Sequence, residues 1–346
     1  MPINVSVIVC TYNRAQSLRQ TLQSLVDQKL SGGLSYEIIV VDNNSSDRTR
    51  EVMDEFMARN GRSFTYRFEG RQGLSVARNT GIRAAHGQIL AFTDDDVTVH
   101  PEWVESLWNC FRETGARMVG GKIERLWLCD RPNWFRDEID GPLIVQDLGQ
   151  KRKKWDSSRH TVGANMAFHR SVFEQIGFFR DDLGRRGELL FGGEDREIFL
   201  RTRAAGLPIY YEPKAVVWHK VETGRLTKEY LRKWFSEIGQ TLGHEMDWKW
   251  HYRFSVAPLW IWKKMIRSFG RWIVAQLRGA DAESERFTSE IWLRHHTAIF
   301  QERFNHWLPT NSGKCIFKNH VIARSPEGAT KQSGEPRLLP SGPFGP

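Results

Sequence analysis

Apolar positions along this chain follow two periods. Continuous runs such as Val5-Ser6-Val7-Ile8-Val9, Ile38-Ile39-Val40-Val41 and Ile89-Leu90-Ala91-Phe92 each break abruptly into polar residues. Runs of that length and β-branched content, bounded by turn residues, predict strands buried on both faces. Between the first two, Leu18, Leu22, Leu25 and Val26 recur at helical spacing, which predicts a helix with one apolar face. Ser46 or Asp47 is placed to cap a second helix over 48–58. The stretch from Gly73 to Gly81 opens a third helix, which leads into the Ile89 run. Strands alternating with helices predict a mostly parallel sheet with right-handed crossovers, flanked by helices. The turns after the three strands then share one edge of the sheet. Downstream, the pattern predicts a helix over 196–205 and a last strand at Val216-Val217, with His219 just beyond it.

The polar residues at these strand ends carry the candidate chemistry. Asp94-Asp95-Asp96 gathers three carboxylates directly after an apolar run. Such a cluster repels itself without a cation among it, and oxygen ligands suit hard divalent metals. The alternative is a solvated acidic turn. Glu194-Asp195 follows Gly192-Gly193 and opens the 196–205 helix, where the dipole favours the ionised form. A capping arrangement alone would also explain the two acids. Arg78 is placed to pair with an acidic neighbour or a phosphate. His219 is read as a metal or phosphate ligand or as a structural histidine.

Four segments in this order, Val-Ile-Val-Cys-Thr-Tyr-Asn-Arg, Val-Val-Asp-Asn-Asn-Ser-Ser-Asp, Gly-Leu-Ser-Val-Ala-Arg-Asn-Thr-Gly and Phe-Thr-Asp-Asp-Asp, resemble a family 2 glycosyltransferase of the GT-A fold. The resemblance continues through Gly163 to Phe168 and Gly192-Gly193-Glu194-Asp195 to Trp218-His219, and fades after about Leu242. It implies a single-sugar, inverting transfer from a nucleotide-diphosphate sugar. By the resemblance, Thr11, Tyr12, Asn13, Asp42, Gly73 and Arg78 line the nucleotide site, with Asp42 accepting a hydrogen bond from a uracil or thymine ring; Asp42 capping its own turn is the other reading. Asp94 then contacts the ribose, Asp95 assists either neighbour, and Asp96 holds Mn²⁺ or Mg²⁺ with His219 nearby. Asp195 is the general base and Glu194 an acceptor-side or orienting group. Asn165 is the polar candidate on the acceptor strand. Arg185 and Arg186, between Gly184 and Gly187, form either a lid over the diphosphate or a solvated loop. The Gln-x-x-Arg-Trp motif of processive synthases does not follow Asp195. The expected acceptor is a hydroxyl of a glycan or a lipid-linked glycan.

Composition narrows the rest. The chain has 346 residues and a formal charge of +9, and its four cysteines (Cys10, Cys110, Cys129 and Cys315) show no paired spacing, which fits a reducing compartment and no structural zinc. Met1-Pro2-Ile3-Asn4 runs straight into the first strand, so no leader is expected and the location is read as cytoplasmic. The catalytic domain is expected over 1–242, a helical extension over 243–308 and a loose tail over 309–346. Nine of the 14 tryptophans lie after Val217, and no acidic residue occurs from Arg253 to Arg278. Within 255–277, Trp262, Ile266, Phe269, Ile273 and Leu277 share one helical stripe, while Lys264, Arg267 and Arg271, with Arg278 beyond, follow another. A basic amphipathic helix of this kind, over 253–278, reads as a peripheral membrane element, with ordinary packing on the catalytic domain as the alternative. A second helix over 282–304 is expected to pack on it or to mediate self-association. The basic run Lys151-Arg152-Lys153-Lys154, with Trp155 beside it, is expected to be a solvated loop, with contact to phosphate or lipid headgroups as the alternative.

Competing functions are weaker. A nucleotidyltransferase would place a glycine- and basic-rich phosphate loop after the first strand, where Thr11-Tyr12-Asn13-Arg14 stands. A catalytically inactive nucleotide-sugar-binding scaffold at the membrane has no need of intact Asp94, Asp96 and Asp195. No nucleic-acid-binding motif accompanies the charge, and no G-x-G-x-x-G follows the first strand.

Overall fold

The computed structural model describes residues 2–60, 64–157, 159–245, 259–278 and 282–307. The expected tail, Cys315 and the 253–258 part of the basic stretch lie outside the described residues. Strands and helices alternate through the first part: β1 (Val5–Thr11), α1 (Ala15–Val26), β2 (Tyr36–Asp42), α2 (Thr49–Asn60), β3 (Phe64–Phe68), α3 (Leu74–Ala84) and β4 (Ile89–Asp94). There follow β5 (Val97–Val99), α4 (Trp103–Thr114), β6 (Met118–Trp127), β7 (Lys153–Lys154), β8 (Met166–His169), α5 (Ser171–Ile176), α6 (Glu194–Ala204) and β9 (Ile209–Val221). Three helices close the described chain: α7 (Lys228–Glu245), α8 (Leu259–Leu277) and α9 (Glu283–Trp307).

The described strands form one sheet in the order β3-β2-β1-β4-β8-β6-β9-β5, with β7 on β9. The first four strands are parallel, as the crossover helices require, whereas β8 runs antiparallel between β4 and β6. Register positions the site: Thr11 pairs with Asp42 on one side, and Cys10 pairs with Asp94 on the other. The carboxyl ends of β1, β2 and β4 therefore meet at one edge, where open α/β sheets bind ligands.

Side chains of β1 alternate between two cores. Val5, Val7 and Val9 pack with Leu18, Leu22 and Leu25 of α1, while Ile8 joins Ala77, Phe92, Phe168 and Phe199 on the opposite face. A third core ties the C-terminal helices to the rest: Phe135, Ile139 and Leu143 pack with Leu231 and Phe235 of α7 and Phe287 and Ile291 of α9. The expected boundary at Leu242 falls inside α7, whose residues serve both units.

Two local expectations change and one open choice closes. His219 lies within β9 rather than beyond it, because β9 is held on both sides: Val97 of β5 and Arg125 of β6 pair with it. The basic run is not a solvated loop. Lys153 and Lys154 pair with β9, Arg152 bridges Glu113 and Glu212, and Trp155 packs edge-on against Phe199 and Tyr211. Asp47 rather than Ser46 caps α2, accepting from the Thr49 N–H at 3.0 Å, and its other oxygen accepts from Ala15 at the start of α1 at 2.9 Å.

Candidate active site

The strand-end edge opens into a cavity of about 1110 Å³. Thr11, Tyr12, Asn13 and Asn43 line one end, Asp94, Asp95 and Asp96 the floor, and Glu194 and Asp195 the far side. Tyr230, Trp234 and Ile238 of α7 close the outer wall.

Asp94, Asp96 and His219 each offer a ligand atom, and the three atoms lie within 4.8 Å of one another. Asp96 Oδ1 and both ring nitrogens of His219 are buried without a hydrogen-bond partner, and Asp96 Oδ1 stands 3.4 Å from His219 Nε2. A carboxylate oxygen and an imidazole facing each other without a proton donor between them fit a divalent cation. Burial pulls the His219 pKa down, which favours the neutral ring a metal requires. Asp96 is supported from behind: its Oδ2 accepts from Arg14 at 2.5 Å and from Arg225. Burial raises its pKa, but nearby positive charge, that of Arg225 and Arg14 included, more than reverses that and holds it well below the carboxylate range. Asp95 behaves oppositely. Burial pushes it up to about 6 against the opposing charge of Arg14.

Arg78 spans the floor. It is only 3% exposed; its Nη1 donates to Glu194 Oε1 at 2.7 Å, and its Nη2 lies 3.7 Å from Asp94 Oδ1. A Cβ at Gly163 would come within 2.2 Å of that guanidinium, so only glycine fits where the 163–165 turn crosses it. Burial, and then the charge of Asp195, raise the Glu194 pKa. Asp195 sits at the α6 N-terminus, set there by Gly193 in the left-handed region at φ +94°. Its Oδ2 accepts from the Gly163 N–H at 3.2 Å, its Oδ1 accepts from the Arg196 N–H at 2.7 Å, and His160 Nε2 lies 3.7 Å away. The carboxylate is partly exposed to the cavity.

The other sequence candidates divide. Thr11, Tyr12, Asn13 and Arg185 line the cavity. Asp42 lies beneath it, its oxygens taken by the Ser45 N–H at 2.9 Å and the Tyr66 hydroxyl at 2.8 Å, so the turn-capping alternative describes its contacts, and Asn43 reaches the cavity instead. Gly73 lies below the surface, needed for a φ of +151° and an N–H bond to Asn43 Oδ1 at 2.8 Å. Arg186 turns away from the cavity, with Nη2 donating to the Asp181 carbonyl. Asn165 is fully buried: Oδ1 accepts from Trp103 Nε1 at 2.9 Å and Nδ2 donates to the carbonyls of Lys122 and Ala215, both at 2.8 Å. That amide is consumed by the fold and is not an acceptor contact.

Sequence reasoning missed Arg14, Arg225 and Lys220. Arg14 was legible as the first charge after β1. Arg225 and Lys220 follow His219 closely, yet only the bend after β9 brings Arg225 to Asp96. Lys220 donates its backbone N–H to the Asp96 carbonyl at 3.1 Å, and its buried Nζ has no hydrogen-bond partner. Ile144, a β-branched residue at φ +22°, also lines the cavity; strain of this type, roughly 1–3 kcal/mol, concentrates at functional sites.

Residues 6–177 match the family model described as Glycosyl transferase family 2. A glucosyl-dolichyl phosphate glucuronosyltransferase of Haloferax volcanii is 30% identical over 66% of this chain and 73% of its own length. The glycosyltransferase AglE of the same organism is 37% identical over 66% and 71%. The succinoglycan biosynthesis protein ExoM of Rhizobium meliloti is 28% identical over 72% and 77%. Among solved structures, the mannosyltransferase PcManGT of Pyrobaculum calidifontis, in complex with GDP-mannose and Mn²⁺, superposes with a TM-score of 0.55 at 18% identity, covering 89% of each chain.

Proposed function

The chain belongs to glycosyl transferase family 2, and on that premise we propose that this glycosyltransferase inverts the anomeric centre as it moves one sugar from a nucleotide-diphosphate donor to an acceptor hydroxyl. The observation that carries this reading is the shared cavity: Asp195 lines the same space as Asp94 and Asp96, and His219 is buried beside those two. The nucleotide occupies the end lined by Thr11, Tyr12, Asn13 and Asn43, with Asp42 ordering the turn beneath it. A uracil- or thymine-type base is favoured, since the Thr11 hydroxyl and the Asn13 amide at this end can pair with its ring edge, while the Asn43 amide is held by Glu69, Arg71 and Gly73. Asp94, Asp96 and His219 would hold Mn²⁺ or Mg²⁺, and the bound ion would supply positive charge for the departing diphosphate. Arg185, on the same wall, adds a permanent positive charge.

Asp195 takes the proton of the acceptor hydroxyl as its oxygen bonds to the anomeric carbon. The bond from that carbon to the donor phosphate oxygen breaks, and the nucleoside diphosphate leaves with the electron pair. One base and no enzyme nucleophile give inversion. The Gly163 N–H fixes one carboxylate oxygen of Asp195, and Arg78 ties the neighbouring Glu194 to Asp94 on the donor floor. Arg78 is thus a positioning residue that keeps base and donor in register.

The acceptor belongs to the outer wall, where Pro142, Ile144, Val145, Tyr230, Trp234 and Ile238 provide apolar surface. That surface suits a glycan carried on a lipid, and the names of the glucuronosyltransferase and ExoM relatives point to lipid-linked and polysaccharide acceptors. The test is Asp195→Asn. It keeps the shape and removes the base, so turnover falls by roughly 10²–10⁴-fold, the usual contribution of general-base catalysis, with donor affinity unchanged. Loss of donor binding with turnover would contradict the base role.

A further inference from the structure

Helix α8 meets the protein with the wrong face for an ordinary packed helix. Ile261, Ser268 and Ala275 are its buried residues, with Trp262, Met265 and Trp272 half-buried around them. Ile266, Phe269, Ile273 and Leu277 point outward, from 40% to 83% exposed. Of the residues expected to form the apolar stripe, only Trp262 turns inward, its ring 4.7 Å from that of Phe300.

The charges beside this stripe are also unusual. On α7, Lys228 and Arg232 reach Glu283 and Glu290 of α9. On α8, Lys263, Lys264, Arg267 and Arg271 make no ion pair among the described residues, and the helix contains no acid at all. At a helical pitch of 100° per residue, Lys263, Arg267 and Arg271 follow one flank of the exposed apolar stripe. No helix among the described residues is long and apolar enough to cross a membrane.

We propose that the outward face of α8 is a docking surface for an anionic lipid bilayer. A 19-residue helix is about 28 Å long, room for the stripe to enter the headgroup boundary along its side while the flanking cations meet lipid phosphates. Charge decides against a second copy: two such faces brought together would place unpaired cations opposite unpaired cations. Binding through α8 is independent of the donor chemistry.

The test is co-sedimentation of the full chain with vesicles of phosphatidylcholine alone and of phosphatidylcholine with phosphatidylglycerol. The chain binds the anionic vesicles, and binding weakens as salt screens the charges. Ile266→Glu with Ile273→Glu abolishes it. Arg267→Gln with Arg271→Gln lowers the partition coefficient by about fivefold per charge removed. Circular dichroism confirms that both variants are folded, and both sets of substitutions lie on the exposed face. No partition of the unmodified chain at low salt overturns the proposal, as does unchanged partition of the Ile266/Ile273 variant. Conversion of a dimer to a monomer by that variant, measured by light scattering, would give the face to a second copy instead.

Discussion

Arg78 and Asn165 show how far residue chemistry can be read from a line of sequence. Both stand inside segments that mark the family, and both were candidates for touching substrate. In the fold, Asn165 satisfies a tryptophan and two carbonyls in the core, while Arg78 bridges two acids 116 and 16 residues away along the chain (194 − 78 and 94 − 78). Sequence spacing does not disclose such partners, because sheet register and the turn at Gly163 create them. The Asp cluster was legible because the strand delivers adjacent carboxylates to one point whatever the rest of the fold does. Removing Arg78 leaves Glu194 and Asp94 uncompensated. Arg78→Ala is therefore expected to cost about 3–5 kcal/mol of stability, the penalty for breaking a buried pair from one side, read from urea denaturation. Unchanged stability with weakened donor binding would make Arg78 a phosphate ligand instead.

The strands and crossover helices of the parallel half were readable from period and caps, since each buries a face the pattern specifies. The helices after β9 were less so. Their apolar residues do not say which neighbour they meet, and α8 turns Ile266, Phe269, Ile273 and Leu277 outward. Where α8 meets α9, Ser268 Oγ lies 3.0 Å from His296 Nδ1, and Trp292 stacks near the same ring. Burial first, then the charges of His295 and Lys264, lower the His296 pKa from 6.5 to about 4, and burial lowers His295 as well. Both rings are neutral in the fold, so the unfolded chain binds more protons at acid pH. Stability is then full above about pH 6.5 and falls as pH drops towards 4. His296→Gln should flatten that part of the stability–pH curve, measured by thermal unfolding across the range. A curve unchanged by the substitution would mean that these rings do not control it.

The molecule as a whole joins the strand-end edge to a helical layer through α7, which lines the cavity and shares a core with α9, and through Phe135, Ile139 and Leu143 of that same core. The expected boundary at Leu242, placed where the resemblance fades, falls inside α7, which continues to Glu245. The fold class was legible because four strand-end segments recur in fixed order. The proposed acceptor wall was not, since it is assembled from residues 140–145, 159–163 and α7. The measurement to make first is thermal unfolding with UDP, dTDP or GDP, each with and without Mn²⁺, on the unmodified chain and on Asp96→Ala. A ligand at about 100 times its Kd stabilises the folded state by about 2.7 kcal/mol. A pyrimidine nucleotide should raise the midpoint only with Mn²⁺, and Asp96→Ala should abolish the rise. No rise with any nucleotide, or a rise that Asp96→Ala leaves intact, would contradict a metal-assisted nucleotide-sugar site at this edge.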